Sequence, residues 1–243
     1  MKTVILAAGA GSRLKPLTEN LPKCLLNAGK KSILEMTIEN LIETGNKEII
    51  IVTGYLENKI REFIHDRFPQ LNITFIFNSS FASTNNIYSL WLAKDEVLGD
   101  DMLMMDSDII FDKRIITKLI TSGYKNCLAL KRHDLHDEEI KVKTDSRGCV
   151  VEIGKGVDPA DAAGESIGIE IFGKEILPEL FGILEDLVVT EKKVNLFYEA
   201  AFQELAEKKN DLHVVDTTEY MCMEIDTQED LVNAGELIVG HLE

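Results

Sequence analysis

With 243 residues, 45% hydrophobic and 28% charged, the chain has room for one large α/β domain or two small ones and the composition of an ordinary globular protein. A formal net charge of −16 argues against a nucleic-acid-binding surface, and no run approaches the roughly 18 uninterrupted apolar residues of a membrane span. The four cysteines form no Cys-x-x-Cys pair, which argues against a zinc or redox site and for reduced, mostly buried thiols.

The N-terminal run at 4–8 is short, apolar and partly β-branched, which suits a strand buried on both faces. It ends in Gly9-Ala10-Gly11-Ser12-Arg13 rather than in a signal-peptide cleavage pattern, so the cytoplasm is the expected compartment. Gly9 and Gly11 carry no Cβ, and such a turn can present backbone N–H groups to an anion. A polar stretch then brings Lys15 and Lys23 back toward the turn. A strand, a donor-lined loop and returning cations make a site for a polyphosphate. No Gly-Lys-Ser/Thr follows, so this is not a Walker loop, and Arg13 and Leu14 stand where a dinucleotide fingerprint has its third glycine.

Residues 33–44 place Leu34, Ile38, Leu41 and Ile42 on one helical face, and Gly45 fits the C-terminal cap region. Residues 48–53 read as a buried strand, 57–68 as a helix stopped by Pro69, and 73–77 as another strand. The rhythm βαβαβ is that of a parallel sheet covered by helices. The polar run 78–86, containing Asn78, Thr84 and Asn85, leads into a helix at 87–93. Amides at a strand's carboxyl end suit base and ribose recognition, or simply an N-cap cluster. Residues 102–105 form an apolar strand that runs into Asp106-Ser107-Asp108. Two carboxylates so close are costly to ionise together unless a cation joins them, and Mg²⁺ is the natural candidate.

Further on, 117–122 closes a helix and 126–131 is a strand. His133-x-x-His136 lies among acids and reads as an exposed loop. Residues 140–143 and 150–153 form a hairpin about Asp145-Ser146-Arg147-Gly148, and 157–163 is a loop of small residues. Helices are expected at 176–187 and 194–208, a strand at 212–215, and a final helix at 229–237 capped by Asp226 or Thr227.

The string from Leu6, Ala7 and Ala8 through Gly9, Gly11, Ser12 and Arg13 to Pro22-Lys23 resembles the signature of the sugar-phosphate nucleotidyltransferases. The resemblance extends over nearly the whole chain. It implies a single domain, 1–243, with the Rossmann-like α/β fold of that family: an open, mixed, mainly parallel sheet with helices on both faces. It also implies transfer of a nucleotidyl group to a phosphorylated acceptor with loss of pyrophosphate. By residue matching, Arg13 and the loop amides hold the triphosphate, Lys23 neutralises charge at the α-phosphate, and Asp106 lies near the nucleotide, where the position of Asn78, Thr84 and Asn85 at a strand's carboxyl end also puts them. Asp108 and Asp226 are the implied Mg²⁺ ligands; Lys155 meets the acceptor phosphate, and Glu165 and Gly168 line the acceptor pocket. Arg13, Lys23 and Lys155 are thus the expected catalytic groups.

Asn85-Asn86-Ile87-Tyr88, Glu152-Ile153-Gly154-Lys155 and Gly164-Glu165-x-x-Gly168-Ile169 are similar to the small cytidylyltransferases. That points to CTP and a small phosphorylated or phosphonate acceptor of the phosphocholine or 2-aminoethylphosphonate type. A cationic acceptor would meet Glu165 and an aromatic such as Tyr88, Trp91 or Tyr198. The alternatives are a sugar-1-phosphate uridylyl, guanylyl or thymidylyl transferase, and a silent nucleotide-sensing subunit. A homodimer is a possible assembly.

Overall fold

Strand β1 (Lys2–Ala7) shows why the sheet lies in the middle of the molecule. Val4 and Leu6 enter one hydrophobic core while Ile5 and Ala7 enter another on the opposite face. Alternate side chains point to opposite faces, so a strand apolar at every position must be covered on both. Full burial of one such side chain is worth about 1.5–3 kcal/mol.

The computed structural model describes residues 1–208 and 211–241. After β1 come a small hairpin, β2 (Asn27–Ala28) and β3 (Lys31–Ser32), then α1 (Ile33–Glu43), β4 (Ile49–Thr53), α2 (Glu57–Arg67) and β5 (Ile73–Phe77). The middle of the chain contains α3 (Asn86–Leu92), α4 (Lys94–Val97), β6 (Met102–Asp106), β7 (Ile109–Phe111), α5 (Arg114–Thr121) and β8 (Cys127–Lys131). The remainder is β9 (Lys141–Thr144), β10 (Val150–Gly154), β11 (Gly164–Phe172), α6 (Leu177–Glu185), α7 (Glu199–Glu207), β12 (His213–Asp216), β13 (Cys222–Glu224) and α8 (Gln228–His241).

The central sheet is open and mixed. Strands β6, β1, β4 and β5 pair in parallel and in that order. Strand β11 adds antiparallel to β6 and bridges to β8 and to the β9–β10 hairpin, while β12 runs parallel to β8. The carboxyl ends of β1, β5 and β6 therefore face the same way, and the turns that follow them share one edge. Ligands of open α/β sheets bind at such an edge. Among the described residues, no helix is long and apolar enough to cross a membrane.

Three elements differ from the expectations above. The region 164–172, whose sequence reads only as a motif at 164–169, is a nine-residue strand. Its two glycines and the acids Glu165 and Glu170 hide the strand period. Helix α7 starts at Glu199 rather than at 194. Residues 194–198 instead form a loop in which the Val194 carbonyl accepts from Asn85 N–H and Tyr198 N–H donates to the Asn86 side chain. Third, Asp108 does not end a strand: a turn at Ser107-Asp108 leads directly into β7, which pairs with β13.

Candidate active site

A cleft of about 320 Å³ opens at this edge. Its floor is the end of β1 and the loop after it. Leu6, Ala7, Ala8, Gly9, Gly11, Ser12 and Arg13 all line it, as the sequence suggested. Among the described residues, the N–H groups of Gly9 through Arg13 donate to no protein acceptor. Gly11 adopts the left-handed conformation, at φ +58°, and a Cβ there would come within 3.0 Å of Lys23 Cβ. Glycine thus allows the turn and lets the Lys23 segment lie against it. The outcome is a concave run of unspent donors, a ready anion cradle.

Lys23, Asp108 and Asp226 come from three distant parts of the chain and meet in the cleft. Lys23 Nζ donates to Asp108 Oδ2 at 2.6 Å and to Asp226 Oδ1 at 2.8 Å, and Arg13 Nη2 lies 2.6 Å from the same Asp226 oxygen. Burial by itself would lower the Lys23 pKa, but the charges and hydrogen bonds of Asp108 and then Asp226 outweigh it and raise the pKa above its ordinary 10.5.

Glu224 joins the two aspartates: one oxygen from each of Asp108, Glu224 and Asp226 lies within 4.8 Å of the others. Burial first, then the charges of Asp108 and Asp226, push the Glu224 carboxyl up to about 8. An all-oxygen donor set of this kind suits a hard divalent cation. The Lys23 ammonium already sits as a cation between two of its members, which is the observation that the residues fit a metal. The alternatives left open for the last helix resolve here. Thr227 Oγ1 accepts from Asp230 N–H, and Asp230 Oδ2 accepts from Thr227 N–H, a reciprocal cap. Asp226 is therefore released from capping and faces the cleft.

Asp106 lines the cleft and is held from behind: Tyr198 Oη donates to Asp106 Oδ2 at 2.7 Å. Burial, reinforced by Asp108, raises the Asp106 pKa well above the usual carboxylate range, and the Tyr198 bond only partly counters this. Gly168 sits on the other side of Asp106. A Cβ at that position would lie 2.8 Å from Asp106 Oδ2, and its φ is +70°. Beneath them Glu170 is fully buried, and burial together with Asp106 raises its pKa too.

Several expected residues lie elsewhere. Tyr198 is 1% exposed and committed to Asp106, so it supports the site from the core and does not face an acceptor. Asn78 is buried: its amide donates to Thr84 and Ser89 and its oxygen accepts from Ser80 N–H, so Asn78 and Thr84 build the turn before α3 instead of lining the cleft. The phase of α3 turns Asn86 and Ser89 to the cleft alongside Asn85, and Tyr88 toward Trp91, with ring centroids 5.2 Å apart. Gly168 serves as a spacer behind Asp106, and Lys15 is exposed outside the cleft.

Lys155 and Glu165 are not among the residues that line the cleft, although Lys155 neighbours Phe197, which does. Lys155 Nζ is 2.8 Å from Glu138 and 5.4 Å from the Phe197 ring centroid, and Glu165 is 2.7 Å from His133 Nε2. Cys24 lines the cleft wall, but burial and Asp108 push its thiol up to about 12, so Lys23 does not activate it. Sequence reasoning missed Phe197, Glu224 and Ser89. Glu224 carried a signal: it is the last residue of β13 and precedes Asp226 by two positions, with Ile225 buried between them. Phe197 had none, since the helical reading of 194–208 placed it in a core.

An open α/β sheet with a donor-lined loop, a lysine and paired carboxylates at its strand ends defines a nucleotide-handling enzyme of the phosphate-transfer kind. The nucleotidyl transferase family matches residues 2–139, and the chain belongs to that family. It is 30% identical to the CTP:phosphoglutamine cytidylyltransferase of Campylobacter jejuni, over 95% of this chain and 98% of that protein. It is 26% identical to the choline-phosphate cytidylyltransferase of Streptococcus pneumoniae, over 98% of both chains. The solved structure of the pneumococcal CTP:phosphocholine enzyme superposes with a TM-score of 0.83 over 98% of each chain, at 26% identity. An inositol-1-phosphate CTP transferase from T. maritima shares the fold with a TM-score of 0.82 over 98% of this chain and 94% of that one, at 19% identity.

Proposed function

We propose that this protein is a Mg²⁺-dependent cytidylyltransferase, joining CMP from CTP to a small phosphorylated or phosphonate acceptor with release of pyrophosphate. The observation that carries the reading is the convergence of the Gly9–Arg13 cradle, Lys23, Asp108 and Asp226 in one cleft. Full-length similarity to enzymes named for CTP supports the choice of donor. A cytoplasmic setting goes with that donor.

The chemistry needs no protein nucleophile. An acceptor phosphate oxygen attacks the α-phosphorus in line, the bond from that phosphorus to the bridging oxygen breaks, and pyrophosphate leaves. The loop N–H groups and Arg13 bind the β and γ phosphates and the departing charge. Lys23 neutralises charge growing at the α-phosphoryl group. Lys155 brings in the acceptor phosphate, exchanging its Glu138 partner for the ligand. Asp108 and Asp226, with Glu224 beside them, would hold the metal, which polarises the α-phosphate when bound. Bringing two anions together is the main barrier, so positioning and positive charge supply the rate.

Phe197 gives the cleft an aromatic face 5.4 Å from Lys155 Nζ. That pairing suits an acceptor with a cationic group beyond its phosphate, of the phosphocholine or aminoethylphosphonate type. Pyrophosphate release with each of CTP, UTP, GTP, ATP and dTTP tests the donor. Turnover with CTP and phosphocholine, 2-aminoethylphosphonate or phosphoglutamine is expected. Turnover only with a sugar 1-phosphate and another nucleotide would overturn the cytidylyl reading.

A further inference from the structure

A second cluster of donor atoms lies away from the cleft. Cys149 and His213 face one another as an antiparallel bridge, and Asp211 precedes His213 by two residues on the same strand approach. Cys149 Sγ lies 3.6 Å from His213 Nδ1, 3.7 Å from His213 Nε2 and 3.7 Å from Asp211 Oδ1. Donor atoms from all three residues fall within 4.8 Å of one another.

We propose that Cys149, Asp211 and His213 form a binding site for a borderline-soft divalent metal, Zn²⁺ foremost, independent of the Mg²⁺ centre. Zn–S of about 2.3 Å and Zn–N or Zn–O of about 2.0–2.1 Å put neighbouring ligand atoms of a tetrahedron roughly 3.5 Å apart. The sulfur-to-nitrogen and sulfur-to-oxygen separations already match that edge. A thiol, an imidazole and a carboxylate select zinc over the hard cation expected at an all-oxygen set. The fourth position would be left to water.

None of the three donors is strongly committed elsewhere among the described residues. Asp211 has a long contact, 3.7 Å, to Arg147, whose Nε is held by Asp145 at 3.0 Å. His213 has the ring of Tyr124 stacked on it at 4.0 Å. Both imidazole nitrogens lie at similar distances from Sγ, so the ring must turn about its Cβ–Cγ bond to aim one lone pair at the ion. Tyr124, 41% exposed, is open enough to move with it. Metal reaches the site from the exposed Asp211 side and displaces the thiol proton, so one proton is released for each Cys149 bound. Cys149 itself is only 4% exposed, which suits a ligand better than a nucleophile that must meet a substrate.

Cys149 stands immediately before β10, whose five residues lead to Lys155. At about 3.3 Å per residue the site is roughly 17–20 Å from that lysine. A metal here would therefore fasten the β9–β10 hairpin to β12 and take no part in the chemistry.

Titration of the intact protein with Co²⁺ reads the site directly, because only a thiolate ligand gives a sulfur-to-cobalt charge-transfer band. The one thiol at the cleft, Cys24, is held protonated by burial and by Asp108, and the C149S variant separates it from this site. The expected result is a saturable band that Zn²⁺ displaces and C149S abolishes. D211N, at an exposed position, should weaken the metal at least tenfold, since even outer partners of metal ligands are worth 10–100-fold. Absence of the band in the wild-type protein overturns the site. So does a band unchanged in C149S, or, should C149S fail to fold, one whose affinity D211N leaves unchanged.

Discussion

Lys23 Nζ lies 2.6 Å from Asp108 Oδ2, and this one contact links the phosphate side of the cleft to its acidic side. Asp226 completes the arrangement at 2.8 Å, so one ammonium separates two carboxylates. In the proposed reaction a divalent cation would share these acids with Lys23, leaving the lysine free to meet phosphate.

Lys23→Ala should therefore do two things. Turnover should fall by about 3–4 kcal/mol of transition-state stabilisation, a factor of roughly 10²–10³. The metal-free variant should also melt below wild type, because Asp108 would lose its counter-charge and Asp226 would keep only that of Arg13. Mg²⁺ should raise its melting temperature more than that of wild type. Equal shifts in the two proteins would show that metal and ammonium do not share these carboxylates.

Glu199 gives the pH dependence. Burial, only partly opposed by a backbone hydrogen bond and by Lys155, pushes its carboxyl from 4.5 to about 7. A folded-state pKa above the unfolded value means that the folded protein binds the extra proton between these values. Stability from this group is complete below pH 4.5 and declines as pH rises to about 7, by up to about 3 kcal/mol. Glu199→Gln should flatten the fall in melting temperature between pH 5 and pH 8. An unchanged slope would assign it to Asp106, Glu170 and Glu224, whose shifts have the same sign.

Gly168→Ala should destabilise by about 1–3 kcal/mol, through the positive φ and through the approach of its Cβ to Asp106. Urea unfolding measures this. Activity should fall more than stability, because the displaced atom belongs to a cleft carboxylate. A fully active variant of wild-type stability would remove Gly168 from the account.

Phe197→Ala should raise the KM for a cationic acceptor about tenfold, consistent with a partly desolvated cation–π contact of about 1–2 kcal/mol, and leave the KM for CTP near its wild-type value. Equal loss for both substrates would place Phe197 at the nucleotide.

Much of the fold was legible because it obeys local rules. The stretch 73–77 is both the expected and the observed strand, and α1 and α2 differ from expectation by one residue. Their apolar spacing and breakers, Gly45 and Pro69, are local signals. Strand β11 was not legible, because Gly164 and Gly168 serve long-range approaches that sequence period cannot show. Within the site, the cradle is a contiguous motif and could be read directly. Tyr198 could not: whether an aromatic beside a helix start faces a ligand or the back of Asp106 depends on where the helix begins, and it begins five residues late.

The most direct measurement is the mass of the product formed from CTP, Mg²⁺ and each of phosphocholine, 2-aminoethylphosphonate and phosphoglutamine, with pyrophosphate measured in the same reaction. The account predicts, for at least one acceptor, a CMP conjugate in equal amount to pyrophosphate, lost together in Lys23→Ala. Tight CTP binding with no conjugate from any acceptor would contradict it and favour a nucleotide-sensing subunit.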